Sequence, residues 1–374
     1  MTTDRLGLYV HIPFCVSKCK YCDFASFARV DSQKRRAYVD RLCNEIEAYS
    51  GTEKRILDTV FFGGGTPSLL AADELVRIFE AINKSFEILP EAEVTLEANP
   101  KTLTEEFLLA ARACGVNRIS LGLQSIHENE LKFLGRIHLY DDFLASYEMV
   151  KKAGIDNINV DLMYGIPEQT KETFEKTLHT VARLSPKHIS AYGLIIEDGT
   201  PFFKMRDSLP LPSEDDEADM YYMAADILSS YGYKHYEISN YAKDGYESRH
   251  NLKYWHDEEY IGVGLSAHSY LDSYRYSNTL SFDEYLCGSG VKYECKNELS
   301  SEDTEYEYAM MRLRLREGID LYDYIRRFGH EFSMGREALI EKFESAGLIK
   351  CADGRLSLTE QGFYLSNTIL SELL

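Results

Sequence analysis

The stretch that decides the fold is His11-Ile-Pro-Phe-Cys15-Val-Ser-Lys-Cys19-Lys-Tyr21-Cys22-Asp-Phe24. Its three cysteines are spaced C-x3-C-x2-C, directly after an apolar run at residues 6–12 that predicts a strand. Three thiolates select a soft metal, zinc or an iron–sulfur cluster. A structural zinc site needs a fourth ligand close by. His11 is near in sequence, but Pro13 stiffens the chain between it and Cys15. Three thiolates leave one iron of a [4Fe–4S] cluster open to an exogenous ligand. The spacing therefore favours a ligand-binding cluster over a sealed zinc site. Cys43, Cys114, Cys287, Cys295 and Cys351 are scattered, and read as small hydrophobes in a reducing compartment.

Outward from this loop, runs at 59–62, 93–98, 118–123, 157–163 and 188–196 read as further buried parallel strands. Helical patterns at 34–49, 73–86, 105–113, 141–153 and 171–184 separate them. Thr104-Glu105-Glu106 opens one helix, and Gly115 and Gly154 close two others. The alternation predicts an α/β fold of six right-handed βα units, as an open sheet or a partial barrel. Either architecture collects functional residues at the carboxyl ends of the strands.

Past Gly199 the pattern breaks. Residues 209–213 read as a linker, 214–217 as an acidic helix start, 220–228 as helix, and 234–241 and 270–277 as extended, aromatic-rich segments. From 301 the chain is helical, with a hairpin at 349–358, like a small winged-helix module. It has no basic recognition helix, so it reads as a packing or partner domain. The expected division is a core barrel at 1–200, an extension at 201–300 and a mostly helical C-terminal domain at 301–374.

The net charge of −20 argues against nucleic acid, and no run approaches a membrane span. The first residues lack the shape of a secretory signal, so the expected location is cytoplasmic. The 27 Tyr residues suit the walls of a roomy pocket or serve simply as core rings.

Polar residues punctuate the strand ends. Gly63-Gly64-Gly65-Thr66-Pro67 follows the second strand, where glycines let backbone approach a ligand closely. Glu97, Gln124 and Asp161 end later strands, and Arg136 follows the fourth. A polar group on a buried strand costs free energy unless it is satisfied, so together these suggest a ring around a barrel mouth.

The cysteine loop, with Tyr21 before its third Cys, resembles the signature of the radical S-adenosylmethionine (SAM) superfamily. That resemblance implies a partial (β/α)6 TIM-like barrel, a [4Fe–4S] cluster on Cys15, Cys19 and Cys22, and SAM on the fourth iron. The strand-end motifs are similar to those of the oxygen-independent coproporphyrinogen III oxidase family. By that likeness Tyr9, Tyr21, Gly64, Gly65, Thr66, Glu97, Gln124, Arg136 and Asp161 are SAM contacts. True oxidases carry a long segment before the cluster loop and a further Cys just after it, where this chain has Phe24.

His250-Asn251-Leu252-Lys253-Tyr254-Trp255 resembles the heme-binding signature of the HemW heme chaperones. Imidazole is a common axial ligand to heme iron, and Tyr and Trp rings pack on porphyrins. The resemblance therefore implies heme binding at His250, Asn251, Tyr254 and Trp255, and heme transfer to respiratory acceptor proteins. It also implies transient membrane contact or a homodimer. The rival expectation is a radical SAM oxidative decarboxylase of porphyrinogen propionates. His268 is a weaker heme-pocket candidate. Gly262-x-Gly264-x-x-Ala267 lacks the strand–helix unit and downstream acid of a dinucleotide loop, which excludes that reading.

Overall fold

The computed structural model describes residues 5–291 and 293–374. All six expected strands form: β1 (Arg5–Ile12), β2 (Arg55–Gly64), β3 (Phe86–Ala98), β4 (Arg118–Gln124), β5 (Asn157–Tyr164) and β6 (His188–Gly193). They pair in parallel in chain order. Helices α1 (Ser32–Glu47), α2 (Ala72–Ser85), α3 (Glu105–Ala113), α4 (Glu128–Leu134), α5 (Tyr140–Lys152) and α6 (Lys171–Arg183) lie between them. Of these, α4 was not expected. Asp31 caps α1 and Thr104 caps α3, each accepting a backbone N–H with its side chain. Gly115 and Gly154 follow α3 and α5 with positive φ, the conformation a helix stop needs.

Side chains along the strands alternate between two faces. Leu8, Val10, Ile12, Val60, Phe62, Leu96, Leu121, Val160 and Leu162 are fully buried on the face covered by helices. Phe62 of β2, for example, stacks on Phe79 of α2 at 5.1 Å between centroids. Tyr9, His11, Glu97, Arg118, Ser120, Asp161 and His188 take the intervening positions and line the inside of a curved sheet.

Residues 201–300 do not build a separate sheet. After α7 (Glu214–Ser230) come the strands β7 (Lys234–Glu237) and β8 (Asn240–Ala242), which extend the edge beyond β6 antiparallel. Helix α8 (Arg249–Trp255) then leads to β9 (Tyr260–Val263), which pairs in parallel with β1. Strands β10 (His268–Leu271), β11 (Tyr274–Asn278) and β12 (Tyr293–Glu298) follow antiparallel. The result is one twelve-stranded sheet in the order β12-β11-β10-β9-β1-β2-β3-β4-β5-β6-β8-β7. The Gly262 segment thus leads from a strand into a hairpin, with no dinucleotide-binding helix after it. The sheet stays open. Its edges are the four-residue β7 and the charged, exposed β12, which discourage pairing with another chain. Buried Glu45 of α1 ties the hairpin side down, accepting from Gly264 N–H, Asn278 Nδ2 and Tyr285 O–H.

The C-terminal part has helices α9 (Ser301–Arg312), α10 (Leu321–Phe328) and α11 (Glu337–Ser345). A small antiparallel sheet joins them, made of β13 (Ile319–Asp320), β14 (Ile349–Ala352) and β15 (Arg355–Leu358). The expected hairpin is β14–β15. Among the described residues no helix is long and apolar enough to cross a membrane.

Candidate functional site

A cavity of about 480 Å³ opens at the carboxyl ends of β1–β6. Cys15, Cys19, Cys22, Tyr21, Gly64, Gly65, Thr66, Glu97, Gln124, Arg136 and Asp161 all line it. Thus eleven of the twelve residues expected at the cluster and SAM sites converge. The exception is Tyr9, which lies one layer deeper. Its ring stacks on Phe61 at 6.2 Å, and its hydroxyl donates to His11 Nδ1 at 3.0 Å. The proton assignment follows from His11 Nε2, which donates to the Ala25 carbonyl at 2.9 Å. Both His11 nitrogens are therefore engaged, and neither is free to be a fourth thiolate partner.

The glycines have reasons of their own. A Cβ on Gly64 would sit 2.5 Å from the His11 ring, and φ there is +110°. A Cβ on Gly65 would meet the Phe14 carbonyl oxygen at 2.6 Å. Close packing beneath the loop, as much as access from above, requires glycine here.

The thiols sit in a hydrogen-bonded frame. Thr66 Oγ1 donates to Cys15 Sγ at 3.7 Å and accepts from Asn99 Nδ2 at 2.7 Å. Arg136 donates to Asn99 Oδ1, to Gly122 O at 2.6 Å and to Cys19 Sγ at 3.5 Å. A continuous path, Cys15–Thr66–Asn99–Arg136–Cys19, joins two of the three sulfurs. Burial pushes the Cys15 and Cys22 thiols up, and the Thr66 hydroxyl partly offsets this at Cys15. Among the described residues no three His, Cys, Asp or Glu side chains converge on one point as ligands of a single ion would. Three soft donors along a cavity wall suit a cluster, which offers each thiolate its own iron.

Opposite the thiols the wall is acidic. Glu97 accepts from Gly64 N–H at 3.2 Å, yet burial and the nearby Asp161 raise its pKa to about 8. Asp161 is raised by burial too, although Ser120 Oγ (3.1 Å) and Asn159 Nδ2 (2.7 Å) donate to it. Gln124 has φ +67°, and its buried Oε1 has no hydrogen-bond partner. An orphaned amide oxygen on left-handed backbone at a cavity lip marks a position held for a ligand. The residues thus fit a ligand with cationic and hydroxyl donors on one side and a soft cluster on the other. Asn99, Ser120, Asn159 and Tyr192 also belong to this site, and the sequence reading passed over them. Their signal was present, because Ser120 and Asn159 continue the alternate polar positions that end in Gln124 and Asp161.

The HNxxYW segment lies elsewhere in the fold. Helix α8 closes the opposite, amino-terminal end of the barrel. His250 is 1 % exposed. Its Nδ1 is 2.8 Å from Thr59 Oγ1 and its Nε2 is 2.8 Å from Tyr254 O–H. Its ring stacks on Phe61 at 5.3 Å, and its pKa falls to about 3 through burial. Its backbone N–H and that of Arg249 both donate to Glu93, at 3.2 Å each, so a carboxylate from β3 caps the helix. Both His250 nitrogens are thus hydrogen-bonded within the fold. Tyr254 is edge-on to Tyr260. Trp255 faces Arg314 of the C-terminal part, at 6.0 Å. Asn251 is half-buried, and His268 is exposed on β10.

Residues 9–181 match the radical SAM superfamily and residues 299–365 match the HemN C-terminal domain. A curated protein of Lactococcus lactis subsp. lactis named "Heme chaperone HemW" is 37% identical over 369 residues, 98% of this chain and 96% of its own. The protein of that name from Escherichia coli strain K12 is 35% identical, covering 98% and 97%. Among solved structures, the coproporphyrinogen III oxidase HemN of Escherichia coli superposes with a TM-score of 0.84 at 24% identity, over 98% of this chain and 89% of that one. At that identity the likeness speaks for the fold.

Proposed function

This chain belongs to the HemW family of radical SAM proteins, and from that premise we propose that it is a heme chaperone. In this reading it holds a [4Fe–4S] cluster on Cys15, Cys19 and Cys22 and binds SAM in the adjoining cavity. It also carries heme to an acceptor protein, a respiratory one by the original resemblance. The observation that supports the cluster and SAM part of the reading is one cavity that gathers the three thiols, the glycine loop, Glu97, Gln124, Arg136 and Asp161.

Each residue has a part. The Gly64–Gly65 backbone and Glu97 present acceptors to the amino end of SAM. Arg136 sets Cys19 and Asn99 and is placed to meet a carboxylate. Asp161 and the free Gln124 oxygen accept from ribose hydroxyls. Tyr21 and Tyr192 form an apolar flank with Leu134, Met163 and Phe202 that excludes water. When bound, the cluster supplies one-electron chemistry to SAM. Heme binding is assigned to the chain as a whole, because His250 is engaged in the barrel floor.

The test combines three measurements on anaerobically reconstituted protein. The expected results are a [4Fe–4S] absorption and EPR signature that SAM perturbs, and a Soret band on titration with heme. Coproporphyrinogen III should remain unconverted under reducing conditions. Efficient conversion would replace the chaperone with a radical SAM decarboxylase. A cluster indifferent to SAM would remove the fourth-iron assignment.

A further inference from the structure

Beneath the cavity a chain of hydrogen bonds runs through the barrel interior to its floor. Asp161, on the cavity wall, accepts from Asn159 Nδ2 at 2.7 Å and from Ser120 Oγ at 3.1 Å. Asn159 turns its Oδ1 the other way, 2.6 Å from His188 Nδ1. His188 Nε2 lies 2.8 Å from the hydroxyl of Tyr236 on β7, with the two rings edge-on. The Tyr236 oxygen accepts from Ser248 N–H at 3.2 Å, and Ser248 is the residue that precedes α8. Asn159, His188 and Ser248 are all buried.

One proton arrangement satisfies every link. A carboxylate only accepts, so Asn159 must offer it the amide N–H and turn the carbonyl to His188. His188 must then carry its proton on Nδ1. Burial, and next the nearby Arg118 guanidinium, hold this imidazole well below its ordinary range, so the ring is neutral and Nε2 accepts. Tyr236 must therefore donate, which leaves its oxygen to accept from Ser248. Every donor in the chain points toward Asp161. Ser190 Oγ adds a longer donation to Asn159 Oδ1, at 3.3 Å. Without the Tyr236 hydroxyl, His188 Nε2 has no partner in either tautomer, and the preference that fixes the proton on Nδ1 is lost. A ring protonated on Nε2 turns a bare Nδ1 to Asn159. That favours the flipped amide, whose carbonyl oxygen then faces Asp161.

We infer that His188 and Tyr236 are positioning residues for Asp161: they hold its carboxylate as an aimed acceptor for a ribose hydroxyl, and they tie that contact to the start of α8 at the far end of the barrel. The inference rests on the reading of the cavity as a SAM site. Neither residue lines the cavity, so each acts through Asn159 rather than on the ligand. A group behind a ligating side chain commonly works this way, by fixing its tautomer and orientation. The tie to α8 is reciprocal. Whatever affinity SAM gains from an intact relay, the start of α8 gains in stability from bound SAM.

The test titrates SAM into cluster-loaded wild type, Y236F, D161N and the double variant by calorimetry. Y236F keeps the ring and removes only the hydroxyl, and it should bind SAM about fivefold or more weakly. In the D161N background the same change should cost less than about twofold, because the group it positions is gone. Methionine, which has no ribose, should perturb the cluster EPR signal of Y236F as it does that of wild type. Y233F removes another buried hydroxyl, one that donates to Pro186 O at 2.7 Å, and should leave SAM affinity unchanged. Hydrogen exchange should slow at Ser248 and the start of α8 when SAM binds wild type, and not when it binds Y236F. If Y236F unfolds, H188N takes its place. Its amide can donate to Asn159 without help from Tyr236, so it should keep SAM affinity. Equal SAM affinity in Y236F and wild type, additive losses in the cycle, or an H188N as weak as D161N would overturn the positioning role. Exchange at α8 indifferent to SAM in wild type would overturn the tie to the floor. Failure of wild type to bind SAM at all would instead refute the underlying reading.

Discussion

Replacing His250 by Ala separates a floor residue from a heme ligand. The substitution removes a ring that is 1 % exposed, stacked on Phe61, and bonded at 2.8 Å on each side. Losing a buried ring of this size costs about 3–5 kcal/mol in cores, including the cavity it leaves. Thr59 Oγ1 is left without its partner in a site 1 % exposed, a penalty of about 1–3 kcal/mol when no water replaces it. The terms overlap, so the expected total is about 3–5 kcal/mol. Urea unfolding of the heme-free, cluster-free protein should show this as a lower midpoint at unchanged slope. The pH dependence adds a signature. His250 has a folded pKa near 3, against about 6.5 in an unfolded chain. The unfolded state therefore gains a proton first as pH falls. Stability from this residue is intact above about pH 6.5, declines at about 1.4 kcal/mol per unit below it, and stops declining near pH 3. H250A should lack that component of the acid slope. If H250A is as stable as wild type while its heme Soret band shifts, the imidazole was free to bind iron and the floor assignment is wrong.

T59V removes one partner of the same imidazole and should cost about 1–2 kcal/mol, less than additively with H250A. G65A drives a Cβ to 2.6 Å from the Phe14 carbonyl, so Cys15 must shift, and iron per chain after reconstitution should drop well below wild type. E97Q removes a carboxyl whose folded pKa is about 8, so the unfolded chain ionises first. Wild-type stability from Glu97 is intact below about pH 4.5 and is lost as pH rises through 8, and the advantage of E97Q in thermal melts should grow across that window. N99A breaks the Thr66–Asn99–Arg136 link, and calorimetry should show SAM affinity at least tenfold weaker with iron content retained. Full SAM affinity in N99A would confine that link to a structural role.

Most of the barrel was legible because buried parallel strands and amphipathic helices leave strong periodicities. The run at 105–113 coincides with α3. Strand β9 escaped because four residues, Tyr260–Val263, are too few to show a period, and only pairing with β1 makes them a strand. The site was legible where chemistry is local: the cysteine spacing, the glycine loop, the strand-end acids. It was illegible where burial decides. Tyr9 and Tyr21 are both Tyr beside motif residues, yet only Tyr21 reaches the cavity. His250 beside Tyr254 and Trp255 reads as a porphyrin site in one dimension. In three dimensions Thr59, some 190 positions earlier in the chain, takes one of its nitrogens.

Gln124 carries a final consequence. Its left-handed backbone holds strain of about 1–3 kcal/mol, and its free amide oxygen forgoes a partner. Both penalties are present before any ligand arrives. A ligand that reaches the oxygen meets a lip already immobile, so little ordering entropy remains to oppose association. Binding here should therefore be led by enthalpy, with a heat release that shrinks when Gln124 is replaced by Gly and the lip regains its freedom.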